Sequence, residues 1–344
     1  MKVVSNNNST RKKEKKMKTA RKFFTVLTVM SLMLFFVTGV LAEDKYPVPQ
    51  TVKDWVSEGK FMKFEGLDIF VHSSGKAPVE GHGVLVVHGY PGSSWDWANV
   101  VPPVAKKTKI VVPDMIGFGQ SDKPKDGTYK DNYSLMRQAD MYEAVAKSEG
   151  LKEVVLVAHD MGQTVGLELM TRHDEGKLSF KIRHAILLNG SSLVDMVELV
   201  PLQKELLKKP DKAATEHLDF KKFAEGLRSS YGKGNATDEI LTAQAAQVFA
   251  KDGDLVMAQI LRYLMERKEF YDRWIGTFAQ FRTAPLSIYW GVQDPVAVVA
   301  MADRIKTWSP RTDMYKIQAS GHWPSIEVPD IIADAIIARL PLYR

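Results

Sequence analysis

The sequence predicts an α/β fold, a mostly parallel twisted sheet with helices on both faces and an inserted helical cap. Short runs rich in Val, Ile and Leu alternate with amphipathic helical stretches from about residue 61 to the C-terminus. This alternation is typical of a parallel sheet that is buried on both faces. The interval 191–283 breaks it, because it contains helical patterns only, and it is too long for a loop in a compact domain.

Each predicted strand is a short apolar run that ends near a polar residue or a glycine. A hairpin, Phe61–Phe64 and Leu67–His72, opens the series around Glu65-Gly66. The later strands are predicted at Val84–Val87, Ile110–Val112, Val154–Val157, His184–Leu188, Leu286–Trp290 and Met314–Gln318. In such sheets functional residues lie at the carboxyl ends of the strands. The polar residues at these ends are His88, Asp114, Asp160, Asn189, Asp294 and His322.

Helical patterns fill the spaces between the strands. In the core they cover Tyr133–Ser148, Gln163–Arg172, Val298–Trp308 and Pro329–Leu340. In the long interval they cover Val197–Lys208, Leu218–Leu227, Asp238–Ala250, Leu255–Arg267 and Glu269–Phe278. We therefore predict a core formed by residues 43–190 and 284–344, with a helical cap at 191–283.

Residues 1–42 have the pattern of a signal peptide or an N-terminal membrane anchor. A basic stretch precedes Phe23–Ala42, which has no charged residue and ends in small residues, as signal peptidase sites do. The same length suffices to span a bilayer, so the anchor stays an alternative. Both interpretations predict an exported protein, with a membrane contact only through an uncleaved N-terminal segment.

The net charge of +6 belongs to this leader. Of the 47 Lys and Arg residues, nine lie in residues 1–42 with one of the 41 acids, so the remainder carries 38 basic and 40 acidic residues. The folded part therefore gives no reason to expect nucleic acid as a partner. The chain has no Cys, which excludes disulfides, thiol catalysis and thiolate metal sites.

The segment Val154–Gln163 has the form of a nucleophile elbow, a strand and a helix joined by a sharp turn. Small residues are required two positions before and two after the reactive side chain, and Ala158 and Gly162 occupy those positions around Asp160. Taken alone, the segment also matches a helix with an aspartate at its N-cap.

Other strand ends favour the catalytic interpretation. The chain order nucleophile, acid, histidine is met by Asp160, Asp294 and His322. The loop after Val84–Val87 lies where an oxyanion hole is expected, so we predict that the backbone N–H groups of Tyr90 and Met161 form one.

Five motifs together resemble the epoxide hydrolase and haloalkane dehalogenase branch of the α/β-hydrolases, close to the group of mesoderm-specific transcript proteins. They are His88-Gly89-Tyr90-Pro91, Asp114–Pro124, His159-Asp160-Met161-Gly162, Gly291–Pro295 and Gly321-His322-Trp323. The resemblance implies that Asp160 attacks carbon to form an ester, which a water activated by His322 cleaves, while Asp294 orients His322. The expected substrates are a small apolar organic molecule with an electrophilic carbon, and water. No metal or organic cofactor is required.

Three functions are possible for this fold, and two of them differ in the leaving group of the substrate. Tyr263, in a segment that resembles the tyrosine-bearing cap segment of epoxide hydrolases, is expected to stabilise an epoxide oxygen. A second such tyrosine is not evident, because Tyr231 is predicted to lie in an exposed loop. Dehalogenases of this branch place Trp where this chain has Met161, so haloalkane dehalogenase is the alternative. A non-catalytic small-molecule binding protein on the same fold is a further alternative.

Overall fold

Eight strands form one sheet in the computed structural model, which describes residues 45–341. They are β1 (Lys60–Phe64), β2 (Leu67–Ser74), β3 (His82–Val87), β4 (Ile110–Pro113), β5 (Glu153–His159), β6 (Lys181–Leu188), β7 (Leu286–Gly291) and β8 (Asp313–Ile317). Their order across the sheet is β1-β2-β4-β3-β5-β6-β7-β8. The pairings of β2 with β1 and β4 are antiparallel, and the others are parallel. The predicted fold class is confirmed.

Helices cover both faces of this sheet. In chain order, the α-helices of the described residues are α1 (Gln50–Glu58), α2 (Val101–Ala105), α3 (Tyr129–Asn132), α4 (Leu135–Ser148), α5 (Met161–Asp174), α6 (Pro201–Leu207), α7 (Phe220–Leu227), α8 (Asp238–Phe249), α9 (Met257–Ile260), α10 (Tyr263–Glu269), α11 (Tyr271–Gln280), α12 (Val299–Trp308), α13 (Pro324–Glu327) and α14 (Pro329–Ile337). Successive residues of a strand point to opposite faces. In β5, Leu156 therefore packs in the core beneath α4, α5 and α12, and Val157 packs beneath α1, α2 and α14.

Between β6 and β7 the described chain forms α6 to α11 and no strand. The boundaries of the predicted cap stay a prediction. The single helix predicted at Leu255–Arg267 is wrong, because a turn at Leu261-Arg262 separates α9 from α10. The backbone N–H groups of Arg262 and Leu264 donate to residues three positions earlier, Gln259 and Leu261. Tyr263 is therefore the first residue of a new helix.

The predicted leader, residues 1–42, lies outside the described residues. Within residues 45–341, no helix combines the length and the apolar character needed to cross a bilayer.

Candidate active site

Asp160 occupies the sharp turn between β5 and α5. Its backbone angles are φ 51° and ψ −119°, a region that residues other than glycine rarely adopt. Its side chain makes no capping hydrogen bond to α5, so the N-cap interpretation does not account for this aspartate. A Cβ on Gly162 would lie 2.1 Å from the carbonyl oxygen of His88. The turn is therefore as tight as the small flanking residues predict.

His322 lies between two carboxylates. Its Nδ1 is 2.7 Å from Oδ2 of Asp294, and its Nε2 is 3.5 Å from Oδ2 of Asp160. All three side chains are buried. The structure thus brings together the three residues that the sequence nominated, from the turn after β5, the loop after β7 and the loop after β8.

Asp294 is held in one orientation by four donors. Its Oδ1 accepts hydrogen bonds from the backbone N–H groups of Val296 (2.7 Å) and Ala297 (2.9 Å). Its Oδ2 accepts from His322 and from Nδ2 of Asn189, at 2.8 Å. The sequence placed Asn189 at a strand end without giving it a role. The structure makes it a partner that keeps Asp294 directed at His322.

His159 fixes the backbone of His322. Its Nε2 lies 2.6 Å from the carbonyl oxygen of His322. Burial lowers the pKa of His159 to about 4, so its ring is neutral at neutral pH. Because a carbonyl oxygen can only accept, the single ring hydrogen lies on Nε2, which donates it to His322. Sequence reasoning missed this role, although His159 directly precedes Asp160.

The loop after β3 holds one oxygen of Asp160. The backbone N–H of Tyr90 donates to Oδ1 at 2.7 Å, and a Cβ on Gly89 would lie 2.4 Å from the Cβ of Asp160. The Met161 N–H, predicted as the second donor, makes no hydrogen bond to this carboxylate within the described chain. Oδ1 is therefore held by the loop, and Oδ2 faces His322.

The charges of the site stabilise an ion pair. Burial raises the pKa of Asp160, but the His322 and Arg267 cations outweigh burial and lower it to about 2. Burial lowers the pKa of His322, but the carboxylates of Asp294 and Asp160 outweigh burial and raise it. At neutral pH the resting site therefore contains an ionised Asp160 and a protonated His322.

A family model described as alpha/beta hydrolase fold matches residues 84–329. The chain belongs to the α/β-hydrolase family. LipZ of Mycobacterium tuberculosis is 31% identical over 295 residues, which are 84% of this chain and 98% of LipZ. The mesoderm-specific transcript homolog protein of Homo sapiens is 30% identical over 296 residues, which are 82% of this chain and 87% of that protein.

Solved structures agree with this fold. An α/β-hydrolase fold protein from Burkholderia ambifaria matches with a TM-score of 0.66 and 19% identity, over 81% of this chain and 97% of that chain. The family match and the identity to LipZ and to the mesoderm-specific transcript homolog protein confirm the resemblance to α/β-hydrolases near that group. A hydrolase of this fold acts on a small-molecule substrate and water.

In this α/β-hydrolase a cavity of about 330 Å³ opens onto Asp160 and His322. The side chains of its wall are mostly apolar and come from α6, α7, the start of α9 and loops; they include Pro91, Val200, Leu202, Leu206, Phe223, Leu227, Met257, Val296 and Trp323. A pocket of this size and character suits a small apolar molecule. Among residues 45–341, no group of three or more His, Asp or Glu side chains is arranged to hold a metal ion.

Two tyrosines lie beside Asp160. Tyr90 lines the cavity, and its hydroxyl donates one long hydrogen bond, 3.5 Å, to the carbonyl of Met257. Tyr263 is buried but is not part of the cavity wall; its ring centre lies 5.9 Å from that of Tyr90. Burial raises the pKa of both phenols, and the Asp160 charge adds to the effect. Sequence reasoning assigned Tyr90 only a backbone role and missed its hydroxyl.

The prediction that Tyr231 lies in an exposed loop is wrong. Its side chain is buried, because its ring packs against Trp323 at 6.1 Å. Its hydroxyl donates to Oε1 of Gln244 at 2.6 Å, and Nε2 of Gln244 donates to Asp96 at 3.2 Å. Tyr231 is thus engaged in a buried network and does not line the cavity wall.

Proposed function

We propose that this α/β-hydrolase uses Asp160 as a nucleophile and opens an epoxide through an ester intermediate. The observation that carries the proposal is the position of the Asp160 carboxylate at the cavity. Asp160 lines the cavity, one of its oxygens is held by the Tyr90 N–H, and the other faces His322. A serine that attacked the same carbon would form a stable ether, whereas an aspartate forms an ester that water can cleave.

In the first step Oδ2 of Asp160 attacks an epoxide carbon, and the bond from that carbon to the ring oxygen breaks. The ring oxygen then needs one proton. His322 carries one at rest, because its pKa is raised. The Tyr90 hydroxyl lines the cavity and stays protonated, so it donates a hydrogen bond as charge develops on the ring oxygen. His322 transfers its proton to the ring oxygen, and the site then holds a neutral ester and a neutral His322.

In the second step neutral His322 takes a proton from a water that attacks the carboxyl carbon of Asp160. Loss of the Asp160 charge removes one of the interactions that raise the pKa of His322, which favours this role as a base. Negative charge then develops on Oδ1, beside the Tyr90 N–H. When the intermediate collapses, the bond between the carboxyl carbon and Oδ2 breaks, and Oδ2 leaves as the alkoxide oxygen of the product, which takes the proton of the new carboxyl group. The products are the diol, the Asp160 carboxylate and the His322 cation, so the protons balance.

The cavity supports an epoxide better than a halide. The indole N–H of Trp323 donates to Oγ of Ser230 at 2.7 Å, so it is engaged and cannot hold a departing halide. The Met161 side chain has no N–H. A protein that only binds its ligand has no need for a buried Asp-His-Asp arrangement, which is expensive to desolvate.

The test is a His322→Gln variant incubated with a styrene-oxide-like epoxide or a short bromoalkane, followed by intact-mass and peptide mapping. We expect an epoxide adduct on Asp160 in His322→Gln, formed more slowly than in the wild type because solvent water must supply the proton that His322 gives to the ring oxygen, and none in His322→Gln/Asp160→Ala. Tyr90→Phe should slow adduct formation by roughly 10²-fold, as expected for a phenol that contacts the ring oxygen. Tyr263→Phe should slow it less, because Tyr263 is not part of the cavity wall. Tyr315→Phe, an exposed tyrosine, is the matched control. A bromoalkane adduct without an epoxide adduct would assign the protein as a dehalogenase, and no adduct from either would refute the mechanism.

A further inference from the structure

Arg267 is a buried cation that reaches from α10 to the nucleophile turn. Its side chain is 1% exposed. Nη2 donates to the carbonyl oxygen of Asp160 at 3.1 Å, and Nε donates to Oγ1 of Thr164 at 2.8 Å. Nη1 donates to the carbonyl oxygen and to Oγ of Ser191, both at 2.8 Å. One guanidinium therefore joins α10 to the turn before α5, to α5 itself and to the loop after β6.

This guanidinium has no carboxylate partner in direct contact. Its four hydrogen bonds are to neutral oxygens only, and no ion pair joins it to an acid within residues 45–341. A buried cation without such a partner loses its hydration and is costly to the fold. Its charge does act on Asp160, whose pKa it helps to lower. A buried carboxylate whose pKa is lowered by a specific cation is typical of a functional site.

The bond to the Asp160 carbonyl has a consequence for the next residue. This carbonyl and the N–H of Met161 belong to one planar trans peptide, in which the two groups point in opposite directions. Arg267 and the backbone N–H of Gln163, at 3.0 Å, both donate to the carbonyl and so fix the plane. A hydrogen bond to a carbonyl also polarises the amide hydrogen bonds of the same network.

We propose that Arg267 is a positioning residue of the oxyanion hole, which orients and polarises the Met161 N–H. In the resting protein this N–H does not contact the Asp160 carboxylate. Donors of an oxyanion hole are placed for the intermediate rather than for the ground state, and the intermediate arises only when water attacks the ester. The inference rests on the proposed ester mechanism. It predicts that Arg267 serves ester hydrolysis more than alkylation.

Four variants separate this role from a structural one. Arg267→Gln removes the charge, and Arg267→Lys keeps the charge without the planar set of donors. Thr164→Val removes one bond of Arg267 that does not involve Asp160. Arg262→Gln is the matched control, because Arg262 lies on the turn before α10 and binds Lys209 and Asp211. Thermal unfolding of each variant identifies those that fold.

The first readout is rapid-quench intact mass with the epoxide, which gives the rates of alkylation and of ester hydrolysis. Removal of a whole oxyanion donor costs about 10²–10³-fold. For Arg267→Gln we expect ester hydrolysis to fall by about 10–10²-fold, with alkylation within about threefold of the wild type. Arg267→Lys should recover part of the loss, Thr164→Val should have a smaller effect, and Arg262→Gln should have none.

The second readout needs no turnover. In protein labelled with ¹⁵N-methionine, the Met161 amide is assigned from its loss in Met161→Leu. Its proton resonance should move upfield in Arg267→Gln, where the N–H is less polarised, and should stay in place in Arg262→Gln. An unmoved Met161 resonance, or equal losses in both rates, would overturn the proposal. Absence of any Asp160 ester would refute the proposed function instead, and the Met161 resonance would still decide the role of Arg267.

Discussion

Replacement of Asp294 by Asn changes the hydrogen-bonding of His322 while preserving the shape of the side chain. Oδ1 of Asp294 accepts two backbone N–H groups, from Val296 and Ala297. The amide oxygen of an asparagine must take this position, because an NH₂ group there would face two donors. The NH₂ group of Asp294→Asn is therefore directed at Nδ1 of His322, which must then accept a hydrogen bond.

The expected loss in the rate of ester hydrolysis follows from this change of tautomer. When Nδ1 accepts, the ring hydrogen moves to Nε2, and His322 can no longer take a proton from water. In a Ser-His-Asp triad the same substitution lowers kcat by about 10⁴-fold. In the wild type, Nδ2 of Asn189 donates to Oδ2 of Asp294 at 2.8 Å. In Asp294→Asn this donor faces the new NH₂ group, which is itself a donor, so a hydrogen bond is lost. We expect ester hydrolysis to fall by about 10³–10⁴-fold and alkylation to fall much less, so that the ester on Asp160 accumulates.

The assay is rapid-quench intact mass of Asp294→Asn with an epoxide in excess. Asp303→Asn is the matched control, because Asp303 is exposed and pairs with Lys316 at 2.7 Å on the surface. A folded Asp294→Asn protein that hydrolyses the ester within about tenfold of the wild-type rate would refute the orientation that we assign to His322.

Two further predictions concern stability and export. Burial raises the pKa of Asp96 to about 7, well above its value in the unfolded chain. The folded protein therefore holds the proton of Asp96 more tightly than the unfolded chain does, which stabilises the fold at low pH, and this stabilisation is lost as the pH rises through about 7. The Tm of the wild type should therefore fall more between about pH 5 and pH 8 than that of Asp96→Asn, and parallel Tm profiles would contradict this. We also propose that residues 1–42 direct export with cleavage after Ala42. N-terminal sequencing from the producing cell should begin near Glu43, whereas an intact Met1 or Met17 on a protein retained in the cytoplasm would argue against export.

Much of the sheet could be predicted from the sequence, because its strands are buried on both faces. Val154–Val157 was predicted as a strand, and β5 extends it to Glu153–His159. The apolar centre of such a strand is visible in the sequence, whereas its ends depend on pairing with neighbouring strands. Asp160 and His322 could be nominated because strand ends in a parallel sheet meet at one edge.

The supporting residues could not be predicted, because their partners are distant in the sequence. Arg267 is 107 residues from the Asp160 carbonyl that it binds, and no local pattern distinguishes it from a solvent-exposed arginine. Tyr231 follows a polar segment that resembles a loop, but its ring packs against Trp323. The break between α9 and α10 was also missed, since the sequence there contains neither Gly nor Pro.

A single turnover in oxygen-18 water, with enzyme in excess over the epoxide, decides whether Asp160 is the nucleophile. If water attacks the carboxyl carbon of an Asp160 ester, the solvent label enters the Asp160 carboxylate, and the new oxygen of the diol comes from the protein. We therefore predict a labelled Asp160 peptide and an unlabelled diol. A labelled diol with an unlabelled Asp160 peptide would show that water attacks the epoxide directly, and would contradict the role of Asp160 as nucleophile.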